Sequence, residues 1–350
     1  MVIGSEYHLD LSNLKISEKS IFQYIGSMEY RLFDSGRSAL KAAVRAVRGG
    51  SVLMPEYMCK SVLTCFPAEQ IIFYRLKDHL QIDIRDLSKK INSRTSVVYL
   101  MHYFGSLQPD DVLSFLRAEK EKYGFTIIED TTHSIFSSKQ TVGDCCIASL
   151  RKWFAVPNGG ILYSNHLLMP DSDNDSKENS DNEKAYAMIL KTLFLQGRLN
   201  CEDEYRKIFS ECEKKFDRQE KIGKISDLSN FLLHCNNICS LKKKRESNFS
   251  FLKSGLNDIG ISQICDFTEK NCPFALPIMV PDRNDFRQYL MEHKIYCAVH
   301  WAFDGTAYGE RPLARHLSET ELSLPIDQRY GEKEMAYLIE VIGSYKGRLK

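Results

Sequence analysis

From residue 51 to residue 130 the apolar positions fall into short unbroken runs separated by stretches of helical period. The runs are Ser51 to Met54, Gln70 to Tyr74, Ser96 to Met101 and Phe125 to Glu129. An unbroken apolar run is what a strand needs when both faces of its sheet are covered. Between the runs, Lys60 to Phe66, Asp83 to Lys90 and Asp110 to Lys122 predict helices. Upstream, Leu40, Ala43, Val44 and Val47 share one face of a predicted helix over Ala39 to Val47. Strands alternating with helices at this spacing predict an α/β fold with a mainly parallel sheet flanked by helices.

The texture changes after Ile161 to Tyr163, one more short strand. Residues 166–183 are almost wholly polar and read as a mobile surface loop. Ala185 to Leu195 and Glu202 to Asp217 predict helices, and Ile225 to Phe251 predicts one longer helix. From Phe274 short strands alternate with a helix, and Glu332 to Tyr345 predicts a closing helix. The pattern divides the chain into a large domain, residues 1–250, and a small C-terminal α+β domain, residues 251–350.

Composition narrows the function. The net charge of +1 supplies no field for nucleic acid or membrane. No apolar run approaches about 20 residues, so no membrane span is expected. Met1 to Leu11 is neither basic nor followed by an apolar core, so no secretory signal is expected. The eleven cysteines are scattered and form no CxxC pair. A metal site is therefore not expected, and reduced thiols in the cytoplasm are.

In a parallel sheet of this kind ligands sit beyond the carboxyl ends of the strands. The sequence places Tyr57, Cys59, His102, Asp130 and His133 there. Ser35-Gly36-Arg37-Ser38 opens a helix, where free N–H groups and the helix dipole favour an anion such as phosphate. A plain N-cap explains the same residues locally. Lys152 lies three residues after Ser149 and seven before Gly159-Gly160. It reads either as a surface lysine or as an amine held beside a phosphate.

Together these segments resemble the DegT–DnrJ–StrS family, sugar aminotransferases of the pyridoxal-phosphate (PLP) fold type I. The resemblance rests on Ser35 to Leu40, Met54 to Tyr57, His102 to Gly105, Ile128 to His133 and Ser149 to Gly160, in that order, with His300 and Leu324-Pro325-Ile326 beyond them. It implies that Lys152 is the Schiff-base lysine and that Asp130 pairs with the pyridinium nitrogen of the cofactor. It implies that His133 bonds the phenolic oxygen and that Gly36, Arg37, Ser38 and Ser149 hold the phosphate. Tyr57 and Cys59 fall where family members contact the cofactor ring, Cys59 standing where an aromatic residue is common. His102, Tyr103, Arg151 and His300 are candidates for substrate, and Arg151 also for phosphate. The serine lies three residues before the lysine here and five before it in many members. The resemblance further implies an amino-acid donor, glutamate or glutamine, a nucleotide-linked keto-sugar acceptor and a homodimer. A non-sugar keto substrate, or a protein that binds PLP without turnover, are the alternatives.

Overall fold

The computed structural model describes residues 1–12, 14–45, 47, 49–138, 142–164, 180–301 and 311–346. In chain order the first elements are β1 (Ile3–Gly4), α1 (Ile21–Ile25), β2 (Glu29–Phe33), α2 (Gly36–Arg45), β3 (Ser51–Pro55), α3 (Lys60–Leu63), β4 (Ile71–Tyr74) and α4 (Ile84–Lys90). Next come β5 (Thr95–Met101), α5 (Asp110–Tyr123), β6 (Thr126–Asp130), β7 (Cys145–Ser149), β8 (Gly160–Ser164), α6 (Ser180–Leu195), α7 (Glu202–Arg218), α8 (Asp227–His234) and α9 (Ile238–Asp258). The last are β9 (Leu276–Met279), α10 (Arg283–Glu292), β10 (Ile295–Tyr296), α11 (Pro312–Thr320), β11 (Glu321–Leu324) and α12 (Glu332–Lys346). The chain forms two units, one of Met1–Ser5, Val47–Gly143 and Ser240–Lys350, the other of Glu6–Ala46 and Asp144–Cys239.

In the first unit the strand order is β6-β5-β3-β4 and every pairing is parallel. The fold is α/β, as the alternating pattern predicts. Val97, Val98, Tyr99, Leu100 and Met101 along β5 are all buried, as a strand covered on both faces requires. The register sets Met101 beside Asp130, so β5 and β6 end together and deliver His102 and Asp130 to one edge. Helix α5 shows how local chemistry fixes these crossovers. Asp110 and Asp111 sit in its first turn, Lys120 and Lys122 in its last, each complementing the helix dipole. Gly124, at φ 73°, closes it in the left-handed conformation that glycine adopts without strain. Val112, Leu113 and Leu116 form its buried face.

The rest of this unit has its own apolar core. Strand β1 pairs with β10 in parallel, and β9 with β11 antiparallel. Ile3, Leu252, Leu256, Ile278, Leu290, Leu322, Leu324, Leu338 and Ile342 pack together around them. The buried Asn248 ties the chain after β11 to α9, donating to the carbonyls of Ile326, Asp327 and Tyr330.

In the second unit β8 lies between β2 and β7 and runs antiparallel to both. Residues 150–159, which join β7 to β8, are too few for the dozen or more that a parallel crossover needs. Helix α2 starts at Gly36, three residues before the predicted start, because Ser35 caps it. The Ser35 hydroxyl accepts from the Ser38 N–H at 3.1 Å.

Other expectations are corrected. The single helix over Ile225 to Phe251 is two, α8 and α9, interrupted at Cys235 to Asn237. The Asn236 amide donates to the Leu232 carbonyl at 2.7 Å, joining the Cys235 N–H on that carbonyl at the helix end. Of the polar stretch 166–183, residues 166–179 lie outside the described residues. Its last residues are the first turn of α6, where Asp181 and Glu183 suit the positive helix end. Among the described residues no helix is long and apolar enough to cross a membrane.

Candidate active site

The first unit presents its candidate residues at the carboxyl ends of β3, β5 and β6. Asp130, the last residue of β6, is 4% exposed. Its carboxylate accepts from the Tyr99 hydroxyl at 2.7 Å and from the Thr132 N–H at 2.8 Å. Burial, reinforced by the neighbouring Asp130, holds the Tyr99 phenol well above its ordinary pKa, so it stays protonated and donates. The aspartate is thereby fixed as an oriented acceptor for a cationic N–H.

His133 follows three residues later, at 1% exposure. Its ring lies flat against Phe274 (4.3 Å, 10°) and near-parallel to Trp301 (5.6 Å, 16°). Its Nδ1 accepts from the Phe104 N–H at 3.4 Å, which puts its proton on Nε2. Phe104 holds a left-handed φ of 55°. The adjoining turn is tied down by the Phe274 N–H on the Phe104 carbonyl and by the Ser137 hydroxyl on the Gly105 carbonyl, both at 2.8 Å. The buried Arg245 in turn donates to the Phe274 carbonyl at 2.8 Å.

Tyr57 belongs to the same aromatic group. Its ring packs against Trp301 at 5.0 Å and Tyr103 at 5.9 Å, and its carbonyl accepts from the Tyr103 hydroxyl at 2.6 Å. The Tyr57 hydroxyl is buried and, among the described residues, has no hydrogen-bond partner. Cys59 caps α3 beside it, with Sγ 3.0 Å from the Ser61 hydroxyl. His300 crosses the edge of the stack, 5.2 Å from His133 and nearly perpendicular to it. So the structure brings Tyr57, Tyr103, His133 and His300 together around Trp301.

His102 is placed differently. It is fully buried, Nδ1 accepting from the Gln108 N–H at 2.9 Å and Nε2 lying 3.0 Å from Glu129. Glu129 also accepts from the N–H groups of Val142 and Gly143 at 2.8 and 2.9 Å. This pair staples the strand ends. Glu129 and Tyr99 are absent from the sequence-based candidates, although a polar residue inside an apolar strand run is a signal for both.

The second unit carries the lysine and the helix start. Lys152 ends a 3₁₀ turn, Leu150–Lys152, anchored by the Leu150 N–H on the Gly159 carbonyl at 3.0 Å. Leu150, Trp153 and Phe154 are fully buried around it, whereas Lys152 is exposed. Among the described residues its amine has no hydrogen-bond or ion-pair partner. Gly36 and Ser149 meet so closely that a Cβ on Gly36 would stand 2.9 Å from the Ser149 Cβ. A Cβ on Gly160 would stand 2.0 Å from the Ser35 carbonyl oxygen. Ser149, Ser35 and the first turn of α2, including Arg37 and Ser38, therefore form one cradle that admits no extra carbon.

The arginines beside this cradle grip α7. Arg37 donates to Asp217 at 2.8 Å and to the Phe216 carbonyl at 2.7 Å. Lys41 reaches the Gln219 and Glu220 carbonyls, so two cations of α2 meet the negative end of α7. Arg151 donates to Glu213 at 2.6 Å and lies over Phe216. Burial alone would raise the Glu213 pKa, but Arg151 and Lys184 outweigh it and bring it down to about 2.

A mostly parallel sheet flanked by helices, with a buried carboxylate at a strand's carboxyl end, is the arrangement of the PLP-dependent transferase fold type I. Comparison with known proteins narrows it. Residues 12–166 match the DegT/DnrJ/EryC1/StrS aminotransferase family. The matched stretch, 155 of the chain's 350 residues, resembles that family's aminotransferase domain. Among solved structures, DesV of S. venezuelae, determined with a ketimine intermediate, is 18% identical with a TM-score of 0.64 over 95% of this chain and 90% of that one. A DegT DnrJ EryC1 StrS aminotransferase from Brucella abortus is 17% identical, with a TM-score of 0.64 over 92% and 87%. The synthase of 3-amino-5-hydroxybenzoic acid is 16% identical, with a TM-score of 0.63 over 91% and 86%. A search of curated proteins found no match.

The residues present fit the cofactor. With no Cβ at Gly36, the start of α2 lies directly against Ser149, and the free N–H groups of a helix start suit phosphate oxygens. The unpartnered Tyr57 hydroxyl offers a buried donor in the aromatic group around His133.

Proposed function

We propose that this chain is an aminotransferase that moves an amino group from an amino acid, glutamate or glutamine, to a keto acceptor, with a nucleotide-linked keto-sugar as the acceptor class. The observation that carries the reading is Asp130, a buried carboxylate whose two oxygens are aimed by Tyr99 and Thr132. When bound, PLP supplies an electron sink for the carbanion left by proton loss from the substrate. Asp130 would keep the ring nitrogen protonated. His133, with its proton on Nε2, would donate to the phenolic oxygen. The first turn of α2 and Ser149 would hold the phosphate. Lys152 would form the covalent attachment and, once released, move the proton at the substrate carbon. Its exposed amine, unpaired among the described residues, suits both tasks. In this reading residues 1–250 serve the cofactor and residues 251–350 supply His300.

We also infer a homodimer. Leu195 and Leu199 near the end of α6, and Leu228 and Phe231 on α8, are exposed apolar side chains that a partner would cover. Eleven free cysteines suit a reducing, cytoplasmic compartment. A non-sugar acceptor is the second reading, favoured by the likeness to the hydroxybenzoic acid synthase. A panel of keto-sugars and keto acids, run with glutamate and glutamine as donors, decides between them. Turnover with no acceptor and no donor would refute the aminotransferase reading.

A further inference from the structure

Among the histidines described, His300 has a polar support that the proposed reaction leaves unexplained. Its Nδ1 lies 2.8 Å from the Ser323 hydroxyl, and that hydroxyl lies 2.5 Å from Glu321 Oε1. The other carboxyl oxygen of Glu321 accepts the His300 backbone N–H at 2.7 Å. His300, Ser323 and Glu321 are 4%, 3% and 0% exposed. Strand β11 supplies both partners, two residues apart and on the same face. The imidazole stands nearly perpendicular to His133, Phe274 and Trp301, with ring centroids 5.2, 6.0 and 5.5 Å away.

We propose that Ser323 and Glu321 are positioning residues for His300, a serine-bridged relay that carries one proton between a buried carboxyl group and the imidazole and so sets whether His300 Nε2 donates or accepts beside His133. In the acid form the Glu321 carboxyl donates to Ser323 Oγ, Ser323 donates to Nδ1, and His300 holds its proton on Nε2. When Nε2 gives that proton to a substrate atom, the Ser323 proton passes to Nδ1 and the Glu321 proton passes to Ser323. A carboxylate remains, held by the Ser323 hydroxyl and the His300 N–H. The imidazole is neutral before and after, so a buried aromatic site delivers a proton without holding an imidazolium.

The surroundings of Glu321 favour this exchange. Burial pushes its pKa up to about 8, against the pull of its bonds to Ser323 and His300 and of the nearby Arg283. Arg283, on α10, spends its guanidinium on the Glu321 and Ser318 carbonyls rather than on the carboxyl group. Among the described residues, Tyr57, Cys265 and Cys297, whose titration Glu321 influences, are all pushed upward and stay protonated. Burial thus favours the protonated carboxyl group, the form from which the relay starts.

The relay stands on geometry, and only its use in catalysis rests on the aminotransferase reading. The test is long-range 1H–15N spectroscopy of the full chain labelled at histidine, with the His300 signals identified by their loss in His300→Gln. Titrated across the span from the reference histidine pKa to the reference lysine pKa, about pH 6.5 to 10, wild type is expected to move the His300 proton from Nε2 to Nδ1. Ser323→Ala should abolish the move, Ser323→Thr should restore it, and Glu321→Gln should leave one tautomer throughout. A single tautomer in wild type, or a move that survives Ser323→Ala, overturns the proposal. In the amino-transfer assay kcat should lose its pH dependence near 8 in Ser323→Ala, with KM for the donor unchanged. A wild type with no turnover but a moving tautomer would refute the aminotransferase reading and leave the relay standing.

Discussion

Gly160→Ala is the sharpest perturbation of the cradle. The added Cβ would stand 2.0 Å from the Ser35 carbonyl oxygen, 2.2 Å from its carbon and 2.6 Å from the Gly36 nitrogen. A carbon–oxygen contact needs roughly 3.3 Å, so the Ser35-Gly36 turn must retreat by about 1 Å or more. The obstructing atoms are backbone and cannot rotate away. Overpacking costs about 1–3 kcal/mol, and rigid neighbours put this case near 3 kcal/mol. The same retreat draws the first turn of α2 away from the anion it would hold. Losing one hydrogen bond to a charged group costs about 1.5–3 kcal/mol, which is roughly 10- to 150-fold in affinity. The assay pairs a urea titration with absorbance-monitored titration of the apoprotein by PLP. Gly343→Ala in α12 is the control, because a Cβ there meets nothing within 4 Å. It is expected to leave PLP affinity unchanged and raise stability by up to about 1 kcal/mol. Gly160→Ala with wild-type midpoint and wild-type affinity would refute the reasoning.

Three further outcomes are expected. Arg37→Ala loses the Asp217 pair and two bonds to α7 carbonyls, so the unfolding free energy from urea titration should fall by about 1–2 kcal/mol. PLP affinity should stay within about threefold because only backbone N–H groups of that residue hold phosphate; a large loss would make the side chain the ligand. Asp130→Asn should lower turnover by about 10²–10³-fold, the scale of one lost electrostatic stabiliser; equal turnover would remove Asp130 from the mechanism. Glu321 has a raised folded pKa, so the native state binds the extra proton between the ordinary 4.5 and about 8. Its contribution to stability is present below 4.5, is lost as pH rises through that window and levels above 8. Denaturation midpoints of wild type and Glu321→Gln measured across this window should therefore diverge, and parallel curves would contradict the shift.

The parallel sheet and the strand-end residues were legible because they depend on local pattern. Unbroken apolar runs mark covered strands, and the residue after such a run lies at the strand end, which located Asp130 and His102. Partnerships across long separations were not legible. Arg151 and Glu213 stand 62 positions apart, and no local period links them. His102 shows the same limit, since its position at a strand end says nothing of the Glu129 carboxylate that claims it. The break between α8 and α9 turns on Asn236, whose amide competes with the helix ladder. The chain after His300 carries its meaning in pairs as well. Ser323 and Glu321 look like ordinary strand residues until β11 folds them beneath the imidazole.

The central claim is that Lys152 holds the cofactor. Purified protein is loaded with PLP, reduced with borohydride, digested and mapped by mass. The account predicts one phosphopyridoxyl group, on the peptide that carries Lys152, and none in Lys152→Ala. A label on another lysine, or no label on a protein that binds PLP, would contradict it.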